Sequence, residues 1–184
     1  CLLSRGLGDV YKRQTLGIAG YGRLGKIISR YAKAFGMSVI VFDKNKNLKE
    51  SSVEFVSLEA LAKRSDFITI HLSLNNETKC IFDKNIFSLM KKKPILINTS
   101  RGEIIDEVEL LFALESGIIS GASLDVLADE NNKDSNWLEN NKLVEYAEKN
   151  KNLIITPHIG GVTHESVEKT NMFMINKLDQ YLDI

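Results

Sequence analysis

From Thr15 onward the apolar positions alternate between two spacings. Leu16 to Gly20 is a short apolar run of the kind a strand buried on both faces needs. Ile27, Ile28, Tyr31, Ala34 and Phe35 then recur at helical intervals, Gly36 is placed to stop that helix, and Val39 to Phe42 is β-branched and aromatic again. The alternation continues along the chain. Val53 to Val56 reads as a short strand, and Ser57 caps a helix through Leu58, Leu61 and Ala62. Phe67 to Leu72 reads as a strand, Asn75 to Thr78 as a turn, Phe82 to Met90 as a helix and Pro94 to Asn98 as a buried strand. Asp106 caps a helix whose apolar face is Val108, Leu110, Leu111 and Leu114, with Gly117 as its stop. Gly121 to Val126 is the next strand. Asp129 to Asn152 reads as loop plus one amphipathic helix, and Leu153 to Thr156 as the final strand. Val162 to Leu182 is helical, with Val167, Met174, Ile175, Leu178 and Leu182 as its inward stripe. Strands alternating with helices in this way predict an α/β, doubly wound parallel sheet.

Between the first strand and the first helix stand Gly20, Gly22 and Gly25, a G-x-G-x-x-G in the strand-turn-helix setting that gives the motif meaning. Gly20 permits the tight turn, Gly22 lets a pyrophosphate approach the backbone, and Gly25 lets helix and strand pack closely. The start of the helix then presents unpaired N–H groups to phosphates. Asp43 follows 18 positions after Gly25, where an acceptor for ribose hydroxyls belongs, and an acid there favours NAD over NADP. The fold implied is of the Rossmann type. This stretch alone does not separate it from a methyltransferase-type nucleotide fold or from a glycine turn that holds no ligand.

Charge narrows the partners. The 184 residues carry 24 basic and 24 acidic side chains, which gives no electrostatic reason to expect nucleic acid or an anionic membrane as a partner. The run Lys91 to Lys93 reads as a solvated helix end. Only Cys1 and Cys80 occur, without metal-ligand spacing, which fits a reducing cytoplasm. His71, His158 and His164 do not cluster as metal ligands. No apolar run reaches the roughly 18 residues of a membrane span. His71, near a strand end, reads first as a satisfied or solvent-facing imidazole. Residues 1–14 show no sustained period and carry two glycines, and they read as a segment foreign to the fold, from an assembly junction or a short natural extension.

Three polar residues follow three different strands: Arg101 in Asn98-Thr99-Ser100-Arg101-Gly102, Glu130 five positions after Asp125, and His158 in Thr156-Pro157-His158-Ile159-Gly160-Gly161. Right-handed crossovers bring such strand ends to one edge of a parallel sheet, where a dinucleotide would also lie. Each residue has a plainer reading alone: a phosphate-positioning cation, a loop acid, a helix-entry residue after proline.

These residues together resemble the D-isomer-specific 2-hydroxyacid dehydrogenases. The likeness runs from about Thr15 to the end of the chain and is carried by G-Y-G-R-L-G at Gly20 to Gly25, N-T-S-R-G at Asn98 to Gly102, G-A-S-L-D-V with the later Glu130, and T-P-H-I-G-G at Thr156 to Gly161. The resemblance implies NAD as cofactor, with Asp43 on the adenosine ribose and Arg23 and Leu24 offering backbone to the pyrophosphate beside Gly20, Gly22 and Gly25. Thr99 and Asp125 would lie near the nicotinamide, Ser100, Arg101, His158, Gly160 and Gly161 would be further cofactor contacts, and Leu72 and Thr78 match weaker contact positions. Arg101 would hold the carboxylate of a small 2-hydroxyacid or 2-oxoacid substrate and polarise its carbonyl. His158 would be the acid and base, and Glu130 would pair with it, orient the ring and favour its protonated form.

The sequence also departs from the family pattern. Ser73 and Asn131 stand where the family often has proline, and the asparagine-rich segment after Glu130 is longer than usual. The family's substrate domain is built mostly from residues ahead of the nucleotide domain, and only its C-terminal tail has a counterpart here. The expected division is therefore a foreign segment at 1–14, a nucleotide domain at 15–162 and a helix at 163–184 that returns to a substrate domain, leaving that helix's apolar stripe partly unpaired. Expected behaviour is that of a fragment inactive alone, from an enzyme that is a homodimer at full length. The competing reading is a non-catalytic, NAD-sensing, corepressor-like interaction module, against which the retention of Arg101, Glu130 and His158 together argues.

Overall fold

The computed structural model describes residues 12–45, 50–130 and 136–182. Among these residues seven parallel strands form one sheet in the order β3-β2-β1-β4-β5-β6-β7. The strands are β1 (Thr15–Ala19), β2 (Ser38–Phe42), β3 (Glu54–Phe55), β4 (Phe67–Ile70), β5 (Ile95–Asn98), β6 (Gly121–Leu124) and β7 (Leu153–Ile155). Six α-helices among the described residues accompany them: α1 (Arg23–Ala34), α2 (Leu58–Arg64), α3 (Lys84–Ser88), α4 (Glu107–Glu115), α5 (Lys142–Lys149) and α6 (His164–Leu182). The expected doubly wound Rossmann sheet is therefore present. Its strand order reverses between β1 and β4, and in such sheets ligands bind outside the carboxyl ends at that switch point.

Two apolar layers hold the sheet. One joins α2, α3, α4 and α5 to the strands through Leu61, Phe87, Leu110 and Leu143; the other is smaller and packs Ala32 of α1 on Leu16, Ile18 and Val41. Local chemistry sets the helix ends as the sequence suggests. Ser57 accepts from Ala60 N, and Asp106 accepts from both Val108 N and Glu109 N, so each first turn has an acceptor for its orphan donors. Gly36 and Gly117 both adopt positive φ beyond their helices.

Three expectations change. The helix read over Phe82 to Met90 shrinks to Lys84–Ser88, because Phe82 forms a parallel bridge with Ile105 and helix growth waits for the Asp83 cap. Val108 leaves the inward face of α4: it is 77% exposed, while Leu110, Ala113 and Leu114 bury at the i, i+3, i+4 spacing. The stripe read as inward in α6 faces no core. None of that helix's residues is buried, and Val167, Met174, Ile175, Leu178 and Leu182 are all exposed. Asn131 lies outside the described residues.

Candidate active site and dinucleotide crevice

The glycine turn meets the requirements of a dinucleotide. Gly20 sits at φ +102°, and a Cβ there would come within 2.5 Å of the His71 carbonyl carbon across the switch point, so only glycine closes this turn. Gly25 approaches Gly20 O so closely that a Cβ would lie 2.1 Å from it. Among the described residues nothing stands within 4 Å of that position at Gly22, which leaves the backbone open to a bulky anion. The start of α1 has no side-chain cap and no acid in its first turn, so its N–H groups and dipole remain available to phosphate. Arg23 and Leu24 form that exposed first turn.

Asp43, just past β2, accepts from Tyr21 N at 2.6 Å and Asn45 N at 2.8 Å, one bond on each carboxylate oxygen. Each oxygen retains a lone pair for a hydroxyl. A groove of about 490 Å³ opens beside Asp43, walled by Phe42, Leu58, Cys80 and Ile86. The predicted residues Leu72 and Thr78 are buried. Leu72 lies under Gly20, and the Thr78 hydroxyl works inside its own turn, donating to Ser73 O at 2.7 Å and accepting from Asn75 N at 2.9 Å. His71 is half-buried: its Nε2 lies 2.9 Å from Thr69 Oγ1, its buried Nδ1 has no partner among the described residues, and burial lowers its pKa.

The other end of the crevice is assembled from the three loops after β5, β6 and β7, which are adjacent strands. The buried Asn98 shapes the first loop. Its Oδ1 accepts from Ser100 N at 3.0 Å and Ser100 Oγ at 2.9 Å, and its Nδ2 donates to Arg101 O at 2.9 Å. Thr99 and Arg101 are thereby held outward and exposed. The Arg101 guanidinium hydrogen-bonds Ser100 O at 2.6 Å, not Glu130 or His158.

Glu130 and His158 do meet: Glu130 Oε1 lies 2.7 Å from His158 Nδ1, across 28 residues of sequence. A carboxylate can only accept, so the contact places the proton on Nδ1 and leaves Nε2 on the side of the ring away from Glu130. The pair borders a groove of about 790 Å³ walled by Trp137, Leu138, Val144 and Ile155. His158 adopts φ +53°, a conformation most side chains avoid.

Asp125 holds that turn. Its Oδ1 accepts from Thr156 Oγ1 at 2.5 Å and Ile159 N at 3.0 Å, and its Oδ2 from Gly160 N at 2.8 Å. Burial pushes the Asp125 carboxyl up, but the bonds from Thr156, Gly160 and Ile159 and the nearby imidazole outweigh it, so the pKa is lowered. Gly160 packs against this carboxylate, and Gly161 is exposed with nothing within 4 Å of a would-be Cβ.

The structure thus brings Glu130 and His158 into contact, puts the Arg101 loop beside them and assigns Asp125 an anchoring task that its motif did not announce. Two contributors escaped the sequence reading. Asn98 was visible only as the first letter of a motif, and Glu107, which accepts from Ala128 N at 2.6 Å, carried no signal beyond following a cap residue.

The fold and crevice define a dinucleotide-binding domain with a carboxylate–imidazole contact at one end. The family described as D-isomer specific 2-hydroxyacid dehydrogenase, NAD binding domain, matches residues 4–160, and the chain belongs to that family. Glyoxylate reductase of Thermococcus litoralis is 41% identical over 165 residues, spanning 88% of this chain and 47% of that protein. D-3-phosphoglycerate dehydrogenase of Bacillus subtilis is 42% identical over 163 residues, 87% of this chain and 29% of that one. Among solved structures, D-lactate dehydrogenase of Aquifex aeolicus, complexed with NAD and lactic acid, superposes with a TM-score of 0.80 at 33% identity, covering 94% of this chain and 54% of that one. The chain spans about half the length, or less, of the relatives it matches. NAD is the cofactor of this family's domain, and the open Gly22 backbone, the uncapped α1 and Asp43 fit it.

Proposed function

We propose that the chain is the nucleotide-binding and acid–base half of an NAD-dependent D-2-hydroxyacid dehydrogenase, which interconverts a small 2-oxoacid and its D-2-hydroxyacid. The observation that carries this reading is the 2.7 Å contact between Glu130 and His158 Nδ1 at the carboxyl edge of the sheet. Bound NADH would supply the hydride. His158 Nε2 gives its proton to the carbonyl oxygen during reduction and takes it back during oxidation, while Glu130 fixes the ring and offsets the charge on the imidazolium. Arg101, always charged and exposed on the neighbouring loop, binds the substrate carboxylate and draws electron density from the carbonyl.

Residues 15–162 form the nucleotide domain in this reading, and 163–184 the helix that leads to a substrate domain. The full-length enzyme is read as a homodimer. Cysteine usage, two in 184 residues with Cys80 a free thiol, supports a cytoplasmic setting. NADH fluorescence titration of this chain should show binding, and no 2-oxoacid should turn over, because these residues span about half the length of the relatives they match and a cleft needs both its walls. In the full-length enzyme His158→Ala should lower kcat by roughly a thousandfold with NADH affinity kept. Unchanged turnover would remove His158 from the mechanism, and rapid turnover by this chain alone would overturn the division of labour.

A further inference from the structure

Glu130 reaches His158 from a loop, so the geometry of residues 125–130 sets the contact. That loop follows β6 and contains Asp129 at φ +57°, in the left-handed region that aspartate tolerates better than most residues. Two successive N–H groups in it are taken by carboxylates. Leu127 N points to Glu130 Oε2 at 3.4 Å, a weak bond made by the side chain the loop delivers. Ala128 N donates to Glu107 Oε1 at 2.6 Å, a short bond from a different element. Gly102 presses on the same peptide: a Cβ there would lie 2.0 Å from Leu127 C and 2.1 Å from Ala128 N. Leu127 is itself buried.

Glu107 is rigidly based. It opens α4, which Leu110, Ala113 and Leu114 fix to the core. Asp106 already accepts from Val108 N and Glu109 N, so the helix start has a cap without Glu107. Burial raises the Glu107 pKa; the bond from Ala128 N works against this, and Asp129, Glu103 and Asp106 add to it. A carboxylate held there against burial and three neighbouring acids is an acceptor placed at a cost.

We propose that Glu107 is a positioning residue: by binding Ala128 N it sets the 125–130 loop so that Glu130 meets His158 Nδ1. This rests on the acid–base reading above and extends it one residue outward. Arg101 shares the arrangement, because Gly102, its neighbour, braces the other side of the same peptide.

The test is ring 15N–1H correlation spectroscopy of the 15N-labelled chain at a pH where His158 is neutral, with a His158→Gln spectrum to identify its signals among the three histidines. The wild-type chain should hold His158 almost wholly as the Nδ1–H tautomer. In Glu107→Ala the Nδ1–H share should fall severalfold toward the Nε2–H form that a free imidazole favours. Glu107→Gln, whose amide oxygen can still accept from Ala128 N, should restore the wild-type pattern, which a general loss of α4 stability would not do. A wild-type spectrum locked on Nδ1–H together with an equally locked Glu107→Ala overturns the role of Glu107 alone. An unlocked wild type overturns the Glu130–His158 pair and this role with it.

Discussion

At the dinucleotide end of the crevice the chain dispenses with side chains: Gly20 and Gly25 let backbone pack on backbone, and Gly22 leaves the uncapped start of α1 open. At the His158 end it fills space with carboxylates, and Asp125, Glu107 and Glu130 each accept backbone N–H groups from the loops around them. The difference follows from what each end must hold. A pyrophosphate brings its own charge and needs bare donors, whereas an imidazole must be aimed, and aiming it on loops requires fixed acceptors.

Glycine substitutions break the comparison most sharply. Gly102→Ala should destabilise by about 3 kcal/mol, because its Cβ would overlap the Leu127–Ala128 peptide and backbone cannot step aside as a flexible side chain can. Gly22→Val should leave stability nearly unchanged yet weaken NADH binding by roughly tenfold or more, since the space it fills is the space the anion needs. Denaturant midpoints and NADH titration separate the two. Equal loss of stability in both variants would mean that the glycine turn is a packing device and not a ligand cradle.

Asp125 gives the next largest effect. Asp125→Asn turns one acceptor oxygen into a donor facing other donors, at a cost of about 1–3 kcal/mol. The sign of its pH dependence follows from the lowered carboxyl. Asp125 adds stability that is fully present above the ordinary carboxylate range, and loses it as pH falls through its depressed folded value. Thermal melts between neutral pH and about pH 3 should show a steeper decline for wild type than for Asp125→Asn. Parallel curves would place the titration elsewhere.

That asymmetry also explains which parts were legible. Glycines at fixed spacing between a strand pattern and a helix pattern have few alternative uses, so Gly20, Gly22 and Gly25 declared the turn, while its ligand needed the later motifs as well. Crossover topology put the Glu130 and His158 loops on one edge of the sheet, but their direct pairing came only through resemblance, because nothing local over a separation of 28 residues specifies a contact. Glu107 and Asn98 act through backbone partners, and any backbone offers the same N–H, so sequence pattern cannot say which one a carboxylate or amide will take. Periodicity identified the helices yet misplaced Val108, since a nine-residue helix with apolar residues around much of its circumference has no unique inner face.

The weakest effects belong to α6, where the same periodicity produced a stripe but no burial. Ile175 and Leu178 are 51% and 56% exposed, against 0% for Leu110 in the covered layer. Truncating a core leucine typically costs about 2–5 kcal/mol through lost transfer energy and the cavity left behind. Neither source exists in α6, because its apolar atoms already touch solvent in the folded chain. Ile175→Ser with Leu178→Ser should therefore shift the unfolding free energy by no more than roughly 0.5 kcal/mol, measured by urea titration. A loss above about 1 kcal/mol would show that α6 docks on the nucleotide domain in solution, and that the stripe has an intramolecular partner after all.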